Sequence, residues 1–372
     1  MLLFAAAVAL FCSAGCESKG NADQGAKNPD LPAAAQPQAN MADTLPLITQ
    51  EEIPNKKKTS SPSYNRFFGM SQEGPIIPAL MQDYVPQGMT YLKSEDWLLI
   101  SYYSLKKEPS LITVVDRSSG KLVKSFFLYN QNKTAYTGHA GGLAASGKYV
   151  WISNDKKVYT LRISDIVDGK DRSRLTFDGV YSVETNGSFV TFADDVLWVG
   201  EFARSDYPTK DAHKMKARDE AQYSAWVAGY KLDQTTGLIA TAQKTKDGAL
   251  VPDYILAIPN EIQGMDIGGD RIYLSRSYGR NNASNLFVYQ NPLKEQPHAL
   301  VQSLGNAPVP LWFLDGKNRT DNIFMPPTAE GIVSVNDVLY ILYESGSSEM
   351  RGNGAYPVDR LRMLDLRALG GA

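Results

Sequence analysis

The chain has 372 residues, with 38 Lys and Arg against 40 Asp and Glu, a net charge of -2 and a pI near 6.0. It carries no basic field that would gather nucleic acid, which excludes that class of partner. No internal apolar run approaches the roughly 20 residues a membrane-crossing helix needs, while 20 Tyr, 30 Gly and 20 Pro suit many short strands joined by tight turns.

Residues 2–11 (Leu-Leu-Phe-Ala-Ala-Ala-Val-Ala-Leu-Phe) form an apolar segment too short to span a bilayer, as in a signal peptide over residues 1–15. It ends in Ser13-Ala14-Gly15-Cys16, which resembles the lipobox of bacterial lipoproteins, although no Lys or Arg precedes it and Ser13 stands where Leu is usual. The resemblance implies cleavage before Cys16, lipidation of its thiol, and a protein anchored in the bacterial cell envelope, facing outward from the cytoplasmic membrane or into the periplasm. The alternative is an ordinary secretory signal. The only other cysteine is Cys12, so the mature body has no thiol for a disulfide, a Cys-based metal site or a Cys nucleophile. Residues 16–62 are dominated by Ala, Pro, Gln, Asn, Lys and Asp and are expected to form a disordered tether, with Asn55-Lys56-Lys57-Lys58 as solvated linker. The folded domain is assigned to residues 63–372.

Within that body one pattern recurs: Gly, apolar strand, tight turn, aromatic-bearing strand. It runs Gly142 to Trp151, Gly264 to Tyr273 and Gly331 to Tyr340. Phe189 to Trp198 keeps the spacing without the leading Gly, and Gln87-Gly88 onward is a looser first copy. Units too small to bury their own apolar face must stack. The pattern predicts an all-β fold, a β-propeller of five four-stranded blades. A sixth blade remains open if residues 304–325, with Val309-Pro-Leu-Trp-Phe-Leu314, form a degenerate one. Blade 1 takes strands near 88–92, 97–103, 110–116 and 121–128, and blade 2 covers 139–184. Blade 3 covers 188–258, blade 4 covers 262–304 and blade 5 covers 330–366. Blade 5 lacks a fourth strand, and a segment within 64–77 is expected to supply it and close the ring. Helix is expected in less than about a tenth of the body, chiefly over 210–222, where Asp211, Lys214 and Arg218 suit i,i+4 pairing. Asp165-Ile-Val-Asp168-Gly-Lys-Asp171 is acidic like a calcium loop but lacks the closing Glu, so it reads as a turn.

Strands within a blade alternate direction, so the start of the first strand and the end of the second share one edge. Inner-strand starts place Gln87, Gly141, Ser188, Gln263 and Glu330 at one channel mouth. Second-strand ends add Asn154-Asp155, Glu201, Arg276, Tyr278 and Glu344. Long insertions at 202–224, 279–284 and 345–359 leave from the same edge, where binding usually resides. Gln87 and Gln263 could equally serve to hydrogen-bond neighbouring backbone. Glu330 and Glu201 need a cationic partner. Arg276 or Arg204 could supply it as a structural ion pair, or a bound divalent metal such as calcium could. His139 belongs to the same rim, while His213 and His298 are expected to be solvated. No zinc-protease, nucleophile-elbow, P-loop or dinucleotide fingerprint occurs.

The Gly-led inner strand with Glu330-Gly331 resembles the inner strands of lactonase- and gluconolactonase-like propeller hydrolases. That resemblance implies a divalent metal at the channel mouth, with Glu330 as the one strictly matching ligand; strand position alone makes Glu201 a second metal candidate. Gln87 and Gln263 occupy equivalent positions as neutral side chains. Three functions are therefore carried forward. The first is a monomeric, non-catalytic propeller that binds a small molecule, glycan or protein through this rim. The second is a metal-assisted hydrolase using Glu330 and Glu201, with His139 near the substrate. The third is a carbohydrate binder stacking sugars on Tyr102, Tyr103 and Tyr278.

Overall fold

Short strand runs, most of them buried along nearly their whole length, pair edge to edge because no single run can satisfy its own backbone. The computed structural model describes residues 45–54 and 61–369, and in it those runs form a mainly-β, five-bladed propeller. Cys16, the segment before it and the 55–58 run lie outside the described residues. Blade 1 runs outward through Tyr84–Leu92, Trp97–Ser104, Leu111–Asp116 and Leu122–Tyr129. Blade 2 uses Gly142–Ser146, Tyr149–Asn154, Lys157–Arg162 and Gly179–Ser182. Blade 3 uses Phe189–Ala193, Val196–Gly200, Ala225–Lys231 and Tyr254–Ile258. Blade 4 is Ile262–Gly268, Arg271–Arg276, Ser284–Gln290 and Arg319–Met325.

Blade 5 closes the ring as expected. Its chain-terminal strands Ala329–Val335, Val338–Tyr343 and Arg360–Asp365 are completed by Ser71–Ile76, antiparallel to the last of them, with Ser71 opposite Leu364. The predicted tight turns sit between first and second strands. Asp194 and Asp195, at φ 50° and 61°, make a two-residue turn of the kind that matches the strand twist. The aromatics that end the repeat, Trp151, Trp198, Tyr273 and Tyr340, are buried.

Three expectations are corrected. Residues 304–325 do not form a sixth blade. Val309–Phe313 lies parallel to the outer strand of blade 3 and carries Ala299–Val301 beyond it, covering that blade's edge, and Arg319–Met325 returns as the fourth strand of blade 4, which therefore extends past 304. Both act as edge strands because neither has an inner-strand position to fill. The 210–222 helix is absent. A single 3-10 turn, Asp211–His213, precedes a hairpin of Met215–Lys216 and Gln222–Tyr223. Burial of the His213 ring pins the segment, and a few i,i+4 charge pairs do not outweigh that. Last, residues 45–54 are packed rather than tether-like: Ile48 and Ile53 are buried in the core shared by blades 1 and 5. The Gln50 side chain there hydrogen-bonds the backbone at Ile76, Gly120 and Leu122.

The repeated glycines have a physical reason. The inner strands converge to a throat so narrow that a Cβ on Gly142 would lie 2.4 Å from the Val190 nitrogen, and one on Gly88 would lie 2.6 Å from the Gly142 Cα. Above this throat the inner strands of blades 1, 4 and 5 each slip register, between Pro86 and Met89, Ile262 and Gly264, and Ala329 and Ile332. Such bulges turn a side chain out of the regular alternation. Here they fall at Gln87, Gln263 and Glu330.

Candidate functional site

Above the glycine throat the channel opens into a cup of about 410 Å³, within the usual range for small-molecule sites. All five inner-strand starts, Gln87, Gly141, Ser188, Gln263 and Glu330, line it. From the second-strand ends come Asn154, Asp155 and Glu344, and His139 joins them. The parity of the strands brings these residues, but not Glu201, Arg276 or Tyr278, to one mouth. Residues unnoticed in the sequence complete the wall: Asn186 and Gly187 before blade 3, Phe202 and Tyr207 from the 202–224 insertion, and Met350 from the 345–359 insertion. The insertions were the available signal, but their length does not say which side chain turns inward.

The floor is built from two carboxyl–amide pairs. Gln263 Nε2 donates to Glu330 Oε1 at 3.1 Å, and Gln87 Nε2 donates to Glu344 Oε2 at 3.2 Å and to the Pro86 carbonyl at 2.8 Å. Glu330 is 2 % exposed, its Oε2 receives no hydrogen bond, and neither glutamate has a cationic partner among the described residues. Burial, followed by the neighbouring Glu344 charge, raises the Glu330 pKa well above the ordinary carboxyl value. Burial also pushes Glu344 up to about 7, against the Gln87 hydrogen bond that favours its ionised form. Both carboxyls therefore resist ionisation, and the charge of Glu344 adds to the resistance of Glu330.

On the wall, Tyr103 stacks on His139 with ring centroids 4.4 Å apart. The His139 edge is open to the cup but protein encloses its other sides, which pushes its pKa down to about 4, so the ring is neutral. Burial raises the Tyr103 pKa, with Glu344, Glu349 and Glu330 adding to the effect, so it remains a phenol.

Other predicted rim residues are elsewhere. Glu201 is fully buried beneath the 202–224 insertion. Its Oε1 accepts from Asn186 N, and its Oε2 accepts from Trp226 N and bonds His213 Nδ1 at 2.8 Å. His213, expected in solvent, is fully buried, stacks on Trp226 at 4.0 Å, and has Nε2 3.5 Å from Glu184 Oε1. His298 is also enclosed, bonded to Arg218 and to Phe313 N. The proposed arginine partners of Glu330 are taken: Arg276 pairs with Glu261 at 2.5 Å, and Arg204 pairs with Asp206 and covers the face of Tyr278 at 3.8 Å. Tyr278 therefore lies outside the cup. Tyr102 is wholly buried and bonded to Thr113, which removes it as a stacking platform.

The donor set does not fit the expected divalent metal. Glu201 is committed to His213, and both glutamines turn their NH2 groups toward the carboxylates. No group of three or more His, Cys, Asp or Glu among the described residues is placed to hold a cation.

No family model matches the chain, and no curated protein matches it in sequence. Solved structures resemble it distantly. Glutaminyl cyclase of Myxococcus xanthus is 9% identical over 79% of this chain and 93% of its own, with a TM-score of 0.39. The GH43_1 enzyme of Xanthomonas citri complexed with xylose is 9% identical over 82% and 93%, with a TM-score of 0.43. A gluconolactonase of Xanthomonas campestris is 10% identical over 79% and 95%, with a TM-score of 0.32. At this distance the likenesses carry no argument about activity.

Proposed function

We propose that the protein is a lipid-anchored propeller of the bacterial envelope that binds a small polar molecule in the cup without transforming it. One observation carries the reading: Glu330 lies at the cup floor, 2 % exposed and beside the Glu344 carboxyl, with no cationic partner among the described residues. A fold does not keep such a group for stability, because an unpaired buried carboxyl weakens the native state. A ligand that satisfies it explains its presence. A thermal-shift screen on the chain from residue 45 onward is expected to find compounds that stabilise the wild type and are recovered unchanged. Their effect should vanish in Glu344→Gln. Hits that act equally on that variant would place binding outside the cup.

A second reading, hydrolysis, is favoured by two carboxyls of raised pKa at one floor, groups that general acid–base catalysis uses. Acid release from lactone substrates, lost in Glu330→Gln, would establish it in place of simple binding. The sugar-stacking reading loses Tyr102 to the core, and Tyr103 is already covered on one face by His139.

The envelope location rests on the Cys16 lipobox. Cys16→Ser is expected to move the protein from the membrane fraction to the soluble fraction, because acyl chains supply most of the anchoring free energy. Continued membrane fractionation of the variant would contradict the anchor. Among the described residues no helix is long and apolar enough to cross a membrane.

A further inference from the structure

We infer that the cup selects an organic molecule carrying a primary ammonium group, which docks on the Glu330–Glu344 floor. This rests on the small-molecule reading above and adds its chemical class. The first argument is charge. Asp155, Glu330 and Glu344 line the cup, and no Lys or Arg does. Arg280, whose charge reaches Glu344, is bound to Glu349 through the side-chain oxygen at 3.1 Å and the carbonyl at 3.2 Å. An anionic ligand would meet uncompensated repulsion, whereas a cation supplies the charge the floor lacks.

The second argument is the direction of the hydrogen bonds. Each glutamine amide points its NH2 at a carboxyl oxygen, which leaves the amide oxygens of Gln87 and Gln263 as acceptors once a docking cation ionises the pair. The floor presents acceptors almost exclusively, so a group with several N–H donors satisfies it and a quaternary ammonium or a hydroxyl does so poorly. The third argument is the wall. Phe202, Tyr207, Met350 and Tyr103 offer apolar and aromatic surface above the floor, suited to an organic body rather than a bare ion.

The raised pKa of the carboxyl pair couples binding to pH. The groups facing the pair are Tyr103, a phenol, Glu349 with its partner Arg280, and, across the cup, Asp155 and the neutral His139. Tyr103 and His139 keep their charge near neutrality, and the pair sets the dependence. An ammonium displaces the proton, and affinity should fall as pH drops below about 7.

The test is calorimetric titration of the purified body with benzylamine, its neutral isostere benzyl alcohol, the anion benzoate, and calcium chloride alone. The expected result is benzylamine binding at least ten-fold tighter than benzyl alcohol, no benzoate binding, and a loss of ten-fold or more in Glu330→Gln and in Glu344→Gln. Circular dichroism confirms that both variants are folded. Equal binding of benzyl alcohol and benzylamine overturns charge selection while leaving a binding cup. Calcium binding without benzylamine binding overturns it in favour of a metal site. Absence of binding by every compound overturns it as well, and the wider screen then decides separately whether the cup binds anything.

Discussion

Glu201→Ala is expected to destabilise the protein by about 3–5 kcal/mol, the usual result of stripping one member from a buried charged network. Glu201 is wholly enclosed, and its two oxygens satisfy Asn186 N, Trp226 N and the His213 ring. Removing it orphans two backbone donors and a buried imidazole together. Glu184 cannot take over, because its Oε1 is engaged by Lys210 Nζ at 2.7 Å and lies 3.5 Å from His213 Nε2. The same cluster gives a pH signature. Burial works against charge on His213, but Glu184 and Glu201 outweigh it and raise its pKa above 6.5. A raised histidine stabilises the fold fully below its unfolded value and loses that contribution as pH rises through the folded value. Burial likewise opposes ionisation of Glu184, yet His213 and Lys210 hold its pKa below the usual value, so its contribution is lost in acid. His213→Ala should abolish the alkaline-side decline. Urea denaturation at several pH values checks both variants, and a Glu201→Ala protein of wild-type stability would refute the network's role.

Gly142→Ala is expected to cost about 3 kcal/mol, the upper end of the range for overpacking. The three atoms nearest the added Cβ, at 2.4, 2.7 and 2.8 Å, all belong to the Val190 and Phe189 backbone. No rotamer change can relieve the contact, so the inner strands of blades 2 and 3 must separate. Gly69→Ala is the control. It lies in the short helix Asn65–Met70 with nothing within 4 Å of an added Cβ, and alanine there should be neutral or stabilising by up to about 1 kcal/mol. Thermal unfolding of the two variants checks the contrast, and equal midpoints would show that the throat is not close-packed.

The inner strands were legible from sequence because their geometry demands it: glycine where backbones meet, an aromatic on the second strand, a polar residue just above the glycine. The N-terminal closing strand was legible because blade 5 ran out of chain. What escaped was set by tertiary contact. His213 lies in a charged insertion whose composition reads as solvated, and only the fold brings Glu184 and Glu201 around it. The arginine proposed for Glu330 failed for the same reason: Arg276 finds Glu261, a nearer carboxylate on its own blade. Residues 299–325 pair as edge strands of two different blades, a choice made by open edges rather than by local pattern. The bulges that turn Gln87, Gln263 and Glu330 into the cup have no signature beyond the adjacent glycine.

On the proposed reading Glu330 and Glu344 are kept for a ligand rather than for the fold. Chemical denaturation of the wild type and Glu330→Gln at pH 5, 7 and 9 tests this directly. A carboxyl whose folded pKa is raised binds its proton more tightly in the native state, so stability falls as pH rises from the unfolded value near 4.5 through the folded one. The glutamine variant escapes that penalty. It is expected to match the wild type at pH 5 and to be more stable at pH 7 and 9, by about 1 kcal/mol or more. A variant less stable than the wild type by several kcal/mol at every pH would make Glu330 a structural carboxylate and would contradict the binding site.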